Sequence, residues 1–132
     1  MAQILVNVAQ TTGSTSRGTV RDHAVLIDRP VSKGGADAGA MGGELLLVAL
    51  GGCFMSTLLA AIKARDAEIT NVNAAIDGSL EGVPARFTAV TMTVTADAAD
   101  RAQLEKLVTI AERSCIVANT LKDALALTVV AG

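Results

Sequence analysis

From Glu44 to Ala64 the chain reads ELLLVALGGCFMSTLLAAIKA, and between Leu45 and Ile62 it carries no charge. Leu, Ala and Met dominate this run, which favours helix. Apolar residues fall on every side of such a helix, so it belongs in an interior and not on a surface. The run is about as short as a bilayer span can be, which makes a single-span protein the first alternative. Two glycines, a serine and a threonine interrupt it, however, and strand-like segments lie on both sides. Burial in a globular core explains the run better. One thin domain offers too little cover for it, and a homodimer would supply the rest.

A chain of 132 residues is one domain by length. Apolar residues make up 51% of it, yet Trp and Tyr are absent and Phe occurs twice. Core volume must therefore come from aliphatic residues and many Ala, which suits closely approaching elements. A formal net charge of −2 argues against nucleic acid as a partner, because phosphates demand a basic face. MAQILVNVAQ lacks the basic leader and long apolar run of a signal peptide, so the expected compartment is a reducing cytoplasm, with no membrane partner. Two cysteines there are more often chemical or inert than a permanent staple. One His and two Cys are too few spaced ligands for a zinc site, and no metal or bound cofactor is expected.

Along the chain, 3–9 reads as a strand, TTGSTSRG as a turn, and Thr19 to Ile27 as one or two more strands around Arg21-Asp22-His23. Residues 1–40 thus form an N-terminal hairpin region, ended by Asp28-Arg29-Pro30. SKGGADAGAMGG (32–43) is a glycine-rich loop without phosphate-loop spacing. The central helix is placed at 43–65 and a β-hairpin at 68–95, with turn chemistry at Gly78 to Pro84. Its clearest strand is Phe87 to Thr95, where Val90, Met92 and Val94 alternate with threonines. A second helix is placed at 98–115, capped by Asp97 or Asp100 with Gln103 set for a capping box. Leu104, Leu107, Val108 and Ala111 form its apolar stripe, which Cys115 continues. Asn119-Thr120 punctuates, Leu121 to Ala124 is read as a further turn of helix, and a strand at 125–130 closes the chain. This order is α+β with mainly antiparallel pairing.

Cys53 and Cys115 are the candidates for chemistry. Each is either a small buried hydrophobe or half of a thiol pair, one nucleophilic and one resolving. A nucleophile needs a thiolate at neutral pH. Cys53 lies too far along its own helix for that helix's dipole to help, so a cation from elsewhere is expected. Arg17, Arg21 and Arg29 lie on the N-terminal strands and loop. Glu44, at the start of the long helix, favours the helix dipole and is also placed to hold such an arginine. His23 reads as an exposed strand residue. Gly51-Gly52 sits in a helix interior, where each glycine costs about 1 kcal/mol relative to Ala. Two reasons fit equally: close approach of a substrate or partner at the Cys53 face, or tight helix packing.

GGELLLVALGGC (42–53), followed by AERSCIVANTL (111–121), resembles the OsmC/Ohr family of osmotically inducible and organic hydroperoxide resistance proteins. DRPVSKGGADAG (28–39) is similar to the OsmC-like branch. The resemblance implies an intertwined homodimer in which antiparallel sheets wrap around two long central helices. It also implies a peroxidase of organic hydroperoxides: Cys53 would become a sulfenic acid, Cys115 would condense with it, and an external dithiol or lipoyl-type reductant would reset the pair. A non-catalytic member binding an apolar small molecule at the dimer interface is the rival reading. The chain departs from the family pattern in three places. Met41-Gly42-Gly43 stands where Pro usually precedes the helix, and Ile116 where Pro usually follows the second cysteine. Gly43 occupies the place of the glutamate that holds the catalytic arginine, leaving Glu44 as its nearest counterpart and Arg29 as the arginine expected to serve Cys53.

Overall fold

The computed structural model describes residues 2–132. It is α+β, with two three-stranded sheets and three α-helices among the described residues. The chain divides into two compact units, one ending at Leu46 and the other running from Leu47 to the C-terminus.

In the first unit, β1 (Asn7–Gln10), β2 (Ser16–Val20) and β3 (His23–Ile27) form an antiparallel meander. The region around Arg21 is two strands and a turn, because Val20 pairs with His23 and leaves only Arg21 and Asp22 to reverse the chain. Arg21 adopts a φ of 51° there. The loop after β3 is organised by Asp28, which is 2% exposed. Its carboxylate accepts from Arg29 N (2.7 Å), Ala38 N (3.1 Å), Ala36 N (3.2 Å) and the Thr15 hydroxyl (2.9 Å). The turn it closes is so tight that a Cβ on Gly35 would overlap the Arg29 carbonyl. The first part of the glycine-rich segment is therefore a fastened loop, despite its glycines.

Helix α1 (Gly42–Ala64) is long and apolar enough to cross a membrane by length and composition. Within the second unit it buries Leu50, Phe54 and Leu58 completely, one stripe at i, i+4, i+8. They meet Val90, Met92 and Val94 of β5 and Leu104, Leu107 and Val108 of α2 in one core. Burial on every side, as the composition suggests, is not what one chain achieves. Leu46, Val48 and Leu59 stay 37%, 63% and 49% exposed, since a single sheet and a single helix cover only one side of a cylinder.

The sheet of this unit is a long antiparallel hairpin, β4 (Ile69–Glu81) and β5 (Arg86–Ala98), with β6 (Ala126–Ala131) added to β5. β6 runs parallel to β5, because α2 and α3 carry the chain back before it re-enters the sheet. Helix α2 (Arg101–Ser114) is capped by Asp100, whose side chain accepts from Ala102 N and Gln103 N. Asp97 instead accepts from the Asn71 amide. The further helical turn expected at Leu121 to Ala124 comes earlier, directly after the second helix. Cys115 leaves helical geometry for one residue (φ −80°, ψ 115°), and α3 (Ile116–Leu121) starts at once. Asn119 and Thr120 lie inside it and do not punctuate the chain, because the break depends on a side-chain cap.

The pair Gly51-Gly52 separates into two roles. A Cβ on Gly51 would come within 2.7 Å of Ile76 Cδ1, whereas one on Gly52 would meet nothing within 4 Å. Gly51 thus lets β4 approach the helix, and Gly52 opens onto a groove of about 370 Å³ with Val48, Met55, Ala74 and Ile76.

The Asp28 contacts have a pH signature. Burial raises the carboxyl pKa, but the N–H groups of Ala38 and Arg29 and the hydroxyls of Thr15 and Ser14 outweigh it. The net effect brings the pKa from 3.8 down to about 2. The folded group therefore keeps its charge to lower pH than the unfolded one. Its stabilisation is complete above the unfolded value and disappears as pH falls through the folded one. The amide NMR signals of Ala36 and Ala38 should hold their positions down the scale and move with a midpoint near pH 2. A midpoint near pH 4 would contradict this account.

Candidate active site at the cysteine pair

Fixing Gly51 against β4 also aims Cys53. Successive helical residues turn by about 100°, so a residue two positions on faces well away from the sheet. Cys53 is partly exposed, and Cys115, at the α2–α3 junction, is fully buried. The two thiols lie close enough for each to shift the pKa of the other.

Thr57, one turn after Cys53, helps set that approach. Its hydroxyl lies 2.8 Å from the Phe54 carbonyl oxygen and 3.1 Å from that of Ala111, one turn before Cys115. Sequence reading passed over this residue. Its signal is a hydroxyl in an otherwise apolar run, which must find a partner once buried.

The first turn of any helix leaves N–H groups without partners inside the helix. In α3 these groups end on the two sulfurs. Ile116 N and Val117 N are directed at Cys53, while Ala118 N donates to Cys115 Sγ at 3.4 Å. Asn119 N then begins the ordinary ladder, donating to the Cys115 carbonyl at 2.9 Å.

The sharing separates the two thiols. For Cys53, burial raises the pKa, but the Val117 N–H, the Cys115 thiol and the Ile116 N–H together outweigh it, and the result is a lowered pKa. For Cys115, burial is again the largest influence. The Ala118 and Val117 N–H groups oppose it, the bond to Cys53 and that sulfur's charge add to it, and the net shift is upward. The environment thus favours the thiolate at Cys53 and the protonated form at Cys115. The sequence reading expected a side-chain cation for this purpose. The donors are instead main-chain groups of a helix it did not separate from α2.

The other candidates lie in the first unit. Arg29 and Lys33 line a cleft of about 450 Å³ with Ser14, Ser16 and Gly43. Arg17 lies on β2, Arg21 forms the β2–β3 turn, and exposed His23 lies on β3 beside an apolar groove with Val8 and Val25. Glu44 Oε1 accepts from Met41 N at 2.8 Å, which caps the start of α1. Among the described residues the one ion pair is Arg101–Glu105, so Glu44 holds no arginine within this chain. No group of three or more His, Cys, Asp or Glu is placed to hold a metal ion among the described residues.

The family model described as OsmC-like protein matches residues 34–130. No curated protein matches the chain. Among solved structures, an OsmC-like protein from Mycoplasma pneumoniae superposes with a TM-score of 0.87 at 15% identity, covering 99% of this chain and 96% of that one. The organic hydroperoxide resistance protein OhrB of Bacillus subtilis gives 0.71 at 19% identity, covering 99% and 98%. An organic hydroperoxide resistance protein from Legionella pneumophila gives 0.73 at 16%, covering 98% and 96%. At these identities the likeness is one of fold.

Ile116 offers a direct test of the main-chain donors. It is the first residue of α3, where proline is well tolerated, and Cys115 before it already has the extended geometry that a following proline requires. Ile116→Pro should keep the fold and delete one donor to Cys53. The pH profile of iodoacetamide labelling at Cys53 should shift upward, followed by mass spectrometry. An unchanged profile would mean that the N–H groups do not set the thiolate.

Proposed function

Because the chain belongs to the OsmC-like family, we propose that it is a cysteine-based peroxidase acting on organic hydroperoxides. The observation that carries this reading is the pairing of a depressed-pKa, partly exposed Cys53 with a buried, protonated Cys115. A binding module has no need for two thiols tuned in opposite directions. Reactive thiols are characteristically low in pKa, accessible and set beside a resolving cysteine.

In this mechanism the Cys53 thiolate attacks the distal oxygen of the hydroperoxide. A sulfur–oxygen bond forms, the oxygen–oxygen bond breaks, and the alkoxide leaves and takes up a proton as an alcohol. Cys53 is oxidised to the sulfenic acid. The Cys115 thiol then attacks that sulfur, the sulfur–oxygen bond breaks, and hydroxide leaves with the thiol proton as water. The resulting disulfide accepts two electrons from an external dithiol, of lipoyl or similar type, which returns both thiols. The two sulfurs suffice for this cycle without a metal or bound cofactor, and a reducing cytoplasm supplies the last step.

The exposed side of α1 supports a homodimer. Val48 and Leu59 on this helix are large apolar residues left in water by a single chain, and a second copy would cover them. In detergent-free buffer, light scattering after size exclusion should report a dimer. Solubility that depends on detergent would instead favour a membrane-spanning α1.

The activity is tested by counting free thiols per chain after one equivalent of cumene hydroperoxide. Wild type should lose both thiols rapidly, and Cys115→Ser should accumulate a trappable sulfenic acid at Cys53. Two persistent thiols in a folded protein would end the peroxidase reading and turn attention to the apolar groove beside β1–β3 as a ligand site.

A further inference from the structure

Helix α3 has six residues, far fewer than a helix needs to stand alone in water. Its ladder is short and is closed at its ends by Asn119 N to the Cys115 carbonyl and Lys122 N to the Ala118 carbonyl, with a side-chain bond from Thr120 to the Ile116 carbonyl. Ala118 is its one buried residue. The start of the helix consequently depends on the Cys115 side chain, whose Sγ caps it by accepting from Ala118 N at 3.4 Å, with the Ile116 and Val117 N–H groups beside Cys53. A thiolate is a charged acceptor, and hydrogen bonds to charged groups are about twice as strong as neutral ones. The sulfur of a disulfide is neutral and only a weak acceptor.

We propose that α3 is a redox-sensitive element: closing a disulfide between Cys53 and Cys115 withdraws the acceptors of its first turn and loosens residues 116–121. This rests on the cysteine pair of the proposed function but not on its peroxide chemistry. The Cys53 thiolate and the Cys115 thiol together lose two electrons and one proton as the sulfur–sulfur bond forms, and the oxidant takes up the electrons. The Cys53 charge disappears, and Cys115 Sγ turns from Ala118 N towards Cys53. The loosening has a use. Cys115 is fully buried in the reduced chain, and an external thiol must reach one sulfur of the disulfide to reopen it. A segment held by the thiols when reduced and released when oxidised exposes the bond only when there is a bond to reduce. Ile116, 71% exposed, places this segment at the surface where a reductant would meet it.

The test is hydrogen exchange of the 116–121 amides in the full chain, with the disulfide made by diamide so that no peroxidase activity is needed. Exchange should quicken roughly tenfold on oxidation, about the effect of losing a helix cap, and recover with dithiothreitol. In Cys115→Ser the serine hydroxyl supplies a cap and no intrachain disulfide forms, so diamide should leave α3 unchanged. Unaltered exchange in a chain whose disulfide is verified by mass would overturn the proposal. So would two thiols that diamide cannot close. Failure with cumene hydroperoxide alone, while diamide closes the bond and frees α3, would count against the peroxidase and leave this inference standing.

Discussion

A helix with no charge over Leu45–Ile62 must be covered, and that demand arranges what lies around it. Burying a side chain of Val or Leu size contributes about 1.5–3 kcal/mol. The chain gains this at Leu50, Phe54 and Leu58 and leaves it unrealised at Val48 and Leu59. On the buried side, contact is close because the helix presents Gly51 to Ile76 where any larger residue would hold β4 away. Fixing that contact fixes the helix's rotation. Cys53, two residues on, is thereby turned from the sheet towards the place where α2 ends. The position of Cys53 is a by-product of how an apolar helix is packed.

At that place a capping problem and the solvation of a thiol have one solution. The first turn of α3 needs acceptors, and a partly buried thiol whose charged form is to be favoured needs donors. Each satisfies the other, with Cys115 serving both as N-cap residue and as hydrogen-bond partner. The donors belong to the backbone, so no side-chain rotamer has to be ordered to bring them to the sulfur. Burial acts on both thiols in the same direction. Each also has two N–H groups beside it, so what separates them is their own contact: the Cys115 thiol lowers the pKa of Cys53, and Cys53 with its charge raises that of Cys115.

Much of this was legible from the residues. The alternation of Val90, Met92 and Val94 gives β5 its buried face, and the stripe Leu104, Leu107, Val108 and Ala111 gives α2 its own. The two cysteine motifs point to each other through the family resemblance. What was not legible has a common cause: it depends on groups meeting across elements. The break at Cys115 has no Gly or Pro to announce it, because a cysteine side chain does the capping. The source of the Cys53 shift was sought among arginines, since side-chain charges can be seen in a sequence and N–H groups released by a helix break cannot. Asp28 looked like an ordinary strand terminator, and only the folded loop brings Thr15, Ala36 and Ala38 to its carboxylate.

The departures from the family pattern follow the same logic. Proline at a helix start is favoured because it carries no N–H to satisfy. This chain has Met41-Gly42-Gly43 and Ile116 where the family usually has prolines, and each replacement restores a donor that needs an acceptor. At α1 the acceptor is the Glu44 carboxylate, 2.8 Å from Met41 N, half of a capping box that holds the helix entry without proline. At α3 the acceptor is Cys53. The first replacement only repairs a helix start. The second adds a donor to a thiolate, so a substitution that removes a rigid residue from the helix also strengthens the acid–base asymmetry of the pair. Seen this way, Ile116 compensates for its lost rigidity through the sulfur it faces, and the entry to α3 is tied to the charge state of Cys53 more tightly than a proline would allow.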